Sequence, residues 1–242
     1  SDGVADGPWD IRKKVRENKK YGADLIKFCA TGGVMSKNTN LRTKQYTQEE
    51  MEAIVDEAHS RGMKVAAHAH GLEGIRAAIM AGVDSVEHSS LIDEQTIELA
   101  KSKGVYLAMD IYVSDFILGE GVEQGIPEYS LNKERQVGRL QRENFKKAVD
   151  ANANLVFGTD AGIFPHGKNA RQFKYMVEWG MTSLQAIQAS TISTAKLFDM
   201  DDTGQIKESY QADIIGVEGN PLEDITILEN VKFVMSDGVV IK

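Results

Sequence analysis

The 242-residue chain has one cysteine, Cys29. No intrachain disulfide can form, and the fold is not a disulfide scaffold. No apolar run approaches the length of a bilayer span, and no signal-peptide pattern opens the sequence. Lys and Arg nowhere gather into a dense cluster, and the formal net charge is −8. A phosphate-binding face is therefore not expected, and nucleic acid is an unsuited partner. Low-complexity tracts are missing too. What remains is an ordinary globular composition, 42% hydrophobic and 26% charged, long enough for one large domain or a domain with a small appendage. A lone cysteine suits cytoplasm and periplasm alike.

What is present is a rhythm. A helical pattern, a Gly or Asn, and then a short apolar run ending in a polar residue recur in "VRENKKYGADLIKF", "VDEAHSRGMKVAAHAH", "IRAAIMAGVDSVEH", "IELAKSKGVYLAMD" and "FKKAVDANANLVFGTD". The Gly or Asn suits the left-handed position that ends a helix. The apolar runs, rich in Val, Ile, Leu and Phe, suit buried parallel strands. Thr47 with Glu50 makes a capping-box pattern ahead of Met51, Ile54, Val55 and Ala58 at helical spacing. Repeated helix-then-strand units predict an α/β fold with a parallel sheet. Residues 182–200 read as one further helix, opened by a second box, Thr182 with Gln185. Beyond residue 202 the pattern changes to Gly-punctuated alternating runs, and "SDGVV" is a hairpin turn. Residues 203–242 are expected to form a small antiparallel β appendage to residues 1–202.

The strands end at Lys27, at His68 and His70, at His88, at Asp110 and at Asp160. In a parallel sheet these ends share one side, the side that carries function in barrels and in doubly wound sheets. His68 and His70, two apart on a strand, leave the same face. They suit a divalent metal such as zinc, or a hydrogen-bonded structural pair. His88 is a candidate third nitrogen ligand or a core histidine. Asp160 reads as a ligand that also takes a proton, or as a helix N-cap. Lys27 lies inside a buried-type strand, where lost hydration favours a neutral amine able to form a carbamate with carbon dioxide; an ion pair with Asp160 is the other reading. Asp110 and Tyr112 are candidates for lining a substrate pocket, as is His166 in "GIFPHGKNARQF"; a loop-starting Asp, a packing Tyr and an exposed imidazole are the alternatives. His59 is assigned no role. The segment "SDFILGEGVEQGIPEYS" reads as a long loop on the same side, whose acids Asp115, Glu120, Glu123 and Glu128 would favour a cationic leaving residue.

Lys, His, His and Asp on successive strand ends, with the phrases "IKFCATGGVMS", "VAAHAHG", "SVEHSSLID", "FGTDAGIFPHG" and "ADIIGVEGNPLEDI", resemble the amidohydrolase superfamily. Within it, the imidazolonepropionase-like branch and its metal-dependent Xaa-Pro and Xaa-Arg/Lys dipeptidases or carboxypeptidases are most similar. The resemblance implies strands four to eight of a (β/α)8 TIM-like barrel, with residues 203–242 as the C-terminal half of a composite β-sandwich domain. It implies two zinc ions held by Lys27 as a carbamate, His68, His88 and Asp160. A metal-bound hydroxide would attack the peptide bond before a C-terminal residue. Asp160 would be the base and His70 the oxyanion donor at the substrate. The family's first-strand H-x-H pair is not found ahead of Lys27, so the expectation is the C-terminal part of a longer enzyme. A different hydrolase of the same superfamily, acting on a cyclic amide or lactone, would share these ligands. A catalytically incomplete fragment is the third reading. The expected partners are a small peptide substrate, no nucleic acid and no membrane, with a homo-oligomer left open.

Overall fold

The computed structural model describes residues 3–242. Five helix–strand units follow one another. They run α1 (Gly7–Lys20), β1 (Leu25–Cys29), α2 (Gln48–His59), β2 (Lys64–Ala69), α3 (Leu72–Ala81), β3 (Ser85–His88), α4 (Glu94–Ser102) and β4 (Tyr106–Ala108). Then come α5 (Val113–Leu118), α6 (Glu120–Glu123), the long α7 (Glu128–Asp150) and β5 (Leu155–Val156). The five strands pair in chain order, all parallel. The residues that stop the helices behave as the rhythm predicts. Gly22, Gly62, Gly82, Gly104 and Asn152 all hold positive φ, between 52° and 93°, where a Cβ is strained and glycine or asparagine is favoured.

Each strand splits its side chains between two environments. One face sends Ile26, Phe28, Val65, Ala67, Val86 and Leu107 against helix residues such as Met51, Ile54, Ile75, Ile79 and Ile97, and these form the main core. Ile75 and Ile79 are fully buried, each stabilising the fold by about 1.5–3 kcal/mol through lost apolar exposure. The other face carries Lys27, Cys29, Lys64, Ala66, His68 and Glu87 and is partly open. The helices thus sit on one side, and the opposite side is the concave face of a parallel arc.

After β5, α8 (Arg171–Glu178), α9 (Ser183–Ser190) and α10 (Ile192–Leu197) complete the helical part. The single helix expected over residues 182–200 is two. Its capping box is present at Thr182 and Gln185, but the helix breaks at Thr191, with φ −124° and ψ −92°. The Ser190 and Thr191 hydroxyls both donate to the Ile187 carbonyl, the local competition that makes such residues poor helix interiors. The expected long loop over 114–130 is also helical, as α5 and α6. A separate antiparallel sheet contains β6 (Ile214–Gly216), β7 (Phe233–Ser236) and β8 (Val239–Val240). Asp237 and Gly238, with φ of 48° and 75°, form the two-residue turn that right-twisted strands require. Among the described residues no helix is long and apolar enough to cross a membrane.

Candidate metal centre

His68 ends the open face of β2, level with Cys29 of β1 and Glu87 of β3. His70 follows two residues later, and its backbone N–H donates to Thr31 Oγ1 at 3.0 Å. His88 is different. In register it pairs with Ala69, and strict alternation would send its ring into the helical layer. It instead adopts φ 67°, followed by Ser89 at φ 50°. This left-handed kink, unfavourable for a residue with a Cβ, brings its ring to the mouth. The three imidazoles then pack with centroids 4.5–4.9 Å apart, His70 stacked on His88 and His68 edge-on to both. Asp160 also holds positive φ, 52°, and its carboxylate joins His88 and Asp110 in one group of potential ligand atoms within 4.8 Å. No helix starts at Asp160, so the N-cap reading fails; α8 begins only at Arg171. Asp160 is exposed rather than buried behind its strand.

The second layer explains how the rings are held. His88 Nδ1 hydrogen-bonds both Asp110 oxygens, at 2.9 and 3.0 Å. Gln141 of α7 donates to Asp110 Oδ1 at 2.8 Å and to the His88 carbonyl at 3.0 Å. Asp110 is thus a buried orienting acid, and its aim leaves His88 Nε2 for a ligand role. Asn144 donates to the Ser90 carbonyl at 2.9 Å, and Ser90 Oγ lies 2.8 Å from His70 Nδ1. His68 hydrogen-bonds the Gly32 backbone, while its Nε2 is enclosed with no hydrogen-bond partner among the described residues. An enclosed lone pair without a donor is costly in a protein and is what a metal cation relieves.

The electrostatics agree. Burial first, and then repulsion from His88, hold His68 down to about 3. The same two causes hold His70 well below the ordinary histidine value. Both imidazoles are neutral near pH 7, with lone pairs available. Burial opposes charge on His88 as well, yet the Asp110 carboxylate overcomes it and raises His88. Asp110 in turn is lowered by His88 against its own burial. A cation held at His88 Nε2 would replace the proton there and leave the Nδ1–Asp110 hydrogen bond in place. The donor sets fit divalent cations: three imidazoles form one group, and His88, Asp110 and Asp160 form a second that shares His88.

The family follows from comparison with known proteins. Residues 4–241 match the Amidohydrolase family. The chain belongs to that family. It is 38% identical to ochratoxinase from Aspergillus niger over 235 residues, 96% of this chain and 48% of that protein. It superimposes on the crystal structure of a Xaa-Pro dipeptidase with methionine bound in its active site, with TM-score 0.95 and 42% identity over 99% of this chain and 60% of the other. A prolidase crystallised with N-methylphosphonate-L-proline matches with TM-score 0.94 and 31% identity, over 99% of this chain and 60% of the other. The chain spans about half the length of the curated relatives it matches. The five βα units are an arc of the barrel these amidohydrolases share.

The remaining expected site residues are placed differently. Lys27 lies in the middle of β1, one step deeper than His68, because it pairs with Ala66. It is exposed, not desolvated, since β1 is an edge strand and its face opens to solvent. Lys27 and Asp160 form no ion pair, although the lysine's charge reaches His68, Glu87 and Asp160. Tyr112 is buried in a satellite core against Phe164 and Tyr175, its hydroxyl accepting from Arg171 at 3.1 Å. His166 is exposed in a turn. Neither lines the pocket that holds His68, His70, His88 and Asp160. Sequence reading missed Gln141, Asn144 and Glu134, all on α7. The only trace they leave is polar residues on the otherwise apolar stripe of a long amphipathic helix.

Proposed function

We propose that this chain carries the metal-binding half of an amide hydrolase that cleaves the peptide bond before the C-terminal residue of dipeptides or short peptides, Xaa-Arg/Lys or Xaa-Pro. The observation that carries the reading is the orphaned Nε2 of His68, enclosed beside His70 and His88. His68, His88 and Asp160 are assigned as ligands. Two overlapping groups of ligand atoms share His88, which supports two divalent ions, with zinc suited to this nitrogen and oxygen set. Lys27 would join as a carbamate: its Nζ first gives up its ammonium proton, then adds carbon dioxide and releases a second proton to solvent. A divalent ion bound there acidifies water enough to attack an amide carbonyl near neutral pH.

The chain's own groups do the rest. Asp160, open to solvent on one side, receives a proton on a carboxylate oxygen and returns it to the departing amine. His70 accepts the Ser90 hydroxyl at Nδ1 and so presents Nε2–H to the oxygen that gains charge. Asp110 and Gln141 hold His88 in place while this happens.

The test is to load the protein with zinc, count bound metal, and profile dipeptides ending in Arg, Lys and Pro beside cyclic amides and lactones. Bound metal with dipeptide cleavage is the expected result. Turnover of cyclic amides or lactones alone moves the function to another amidohydrolase reaction. Metal-loaded protein inert on every substrate refutes hydrolysis by these 242 residues alone and favours the incomplete-fragment reading.

A further inference from the structure

We propose that Glu134 forms a subsite for a cationic side chain, guanidinium or primary ammonium, on the substrate residue bound in this pocket. The inference rests on the peptide-hydrolase reading and narrows it. Glu134 sits on α7 and is 3% exposed, yet it lines the same pocket as His68, His70, His88 and Asp160. Its Oε1 is enclosed with no hydrogen-bond partner among the described residues; burial pushes the carboxyl above its usual range, and the Ser114 hydroxyl hydrogen-bonds it and opposes that rise only in part. A buried carboxylate lacking a full set of partners is unfavourable until a cation arrives.

Among the described residues no cation bonds Glu134 Oε1; the charges of His88 and Arg142 reach it only from further off. The neighbouring Lys133 is turned away, its Nζ donating to the Gly33 carbonyl at 3.0 Å, the Ser36 carbonyl at 2.6 Å and Thr39 Oγ1 at 3.1 Å. Arg142 donates to the Ile111 carbonyl at 2.9 Å and to Asp115 at 2.6 Å. The space around Glu134 is preserved by Gly138, where a Cβ would sit 2.5 Å from Glu134 Oε1 and collide with Ser114 Oγ. The pocket wall beside it is apolar, with Val34, Met35, Val113, Ile117 and Ile163. An apolar wall next to one buried acid matches a methylene stem with a charged tip, the shape of Lys and Arg. It suits an α-ammonium, which has no such stem, less well. The exposed acids that the sequence suggests for this task are occupied: Asp115 by Arg142, Glu120 by Lys168 and Arg171, and Glu128 by Arg135.

The decisive measurement is calorimetric binding of L-arginine, L-lysine and L-norleucine to the zinc-loaded protein and to Glu134→Gln. It needs no turnover, so the subsite can stand even where the hydrolase reading fails. Arginine and lysine should bind at least about tenfold tighter than norleucine, the scale of a desolvated charge pair, and Glu134→Gln should bring that ratio near one. An equal loss for all three ligands assigns Glu134 to the α-ammonium and overturns the proposal. So does a preference that survives in Glu134→Gln, or no preference for the cationic ligands in the unaltered protein, the result expected if Glu134 merely holds an ordered water. Should Glu134→Gln lose its melting transition, Glu134→Asp carries the test: it keeps the charge, draws it back by one methylene and should lower the ratio. An unchanged ratio in the folded Asp variant overturns the proposal too.

Discussion

Two of the charged clusters among the described residues are built on opposite plans. On the helical side, Glu57 of α2 is 5% exposed and surrounded by Arg12, Arg16 and Arg61 at 2.6–3.2 Å. Every carboxylate oxygen has a cation. At the mouth of the sheet, three imidazoles repel one another's charge, His68 Nε2 and Glu134 Oε1 have no partner, and the backbone is strained at His88, Ser89 and Asp160. The first cluster is complete within the chain. The second becomes complete only with something added. A saturated buried charge ties α1 to α2, whereas an unsaturated one marks the place where a ligand enters.

The largest effect should come from breaking the incomplete cluster at its base. Asp160→Asn keeps the shape and removes the proton acceptor. Turnover should fall by about two to four powers of ten, while bound metal, measured by atomic emission, falls much less. Near-normal turnover would exclude the role.

A smaller loss tests the layer behind the ligands. Asp110→Asn removes the charge that aims His88 while keeping the size of the side chain at the pocket wall. Metal affinity should drop by about 10–100-fold, the usual effect of removing an orienting partner, read by competition with a chelating dye. An unchanged affinity would reduce the Asp110–His88 contact to packing.

These two residues also show what a sequence can and cannot display. His68 and His70 were legible because period-two alternation puts both on one face, and the five Gly or Asn stops because left-handed positions select them. His88 sits in the right place against its own alternation, since its φ of 67° is a choice of the folded chain. Asp110 is next to its strand, but its partner Gln141 arrives from a helix 31 positions later, and no local pattern announces that meeting. Lys27 was read as buried because the strand pattern says apolar; which face of an edge strand is covered depends on what packs there. Tyr112 follows a strand end yet turns into the satellite core with Phe164, because α5 starts at the next residue.

The complete cluster should respond in stability and not in turnover. Glu57→Gln leaves the three arginines, each a quarter to half exposed, facing a neutral amide. Solvent screening at that exposure limits the loss to about 1 kcal/mol. The hydrogen bond from Arg16, with Arg12 and Arg61 behind it, holds the Glu57 carboxyl below its usual value against the effect of burial. Its contribution is therefore fully present above the unfolded glutamate pKa of about 4.3 and is lost as pH falls through the lower folded value. Urea denaturation at pH 7 should separate the two proteins, and below about pH 4 the difference should shrink. A gap that persists unchanged in acid would mean that Glu57 acts by packing.

The smallest effect belongs to the exposed acids that the sequence singles out as selectors of a cationic residue. Asp115, Glu120, Glu123 and Glu128 are all exposed. Three of them hold lysines or arginines of the chain itself, and Asp115 also accepts from the Tyr175 hydroxyl. Such pairs contribute about 0–1 kcal/mol each and leave little net field at the pocket. Neutralising Glu120, Glu123 and Glu128 together to Gln should change the preference for Arg-ended over Pro-ended dipeptides by less than about threefold at low salt, and the residual change should vanish at high ionic strength. A collapse of the preference in this triple variant, with Glu134 intact, would move substrate choice from the buried acid back to the surface, and would break the contrast between saturated and unsaturated charge in the opposite direction.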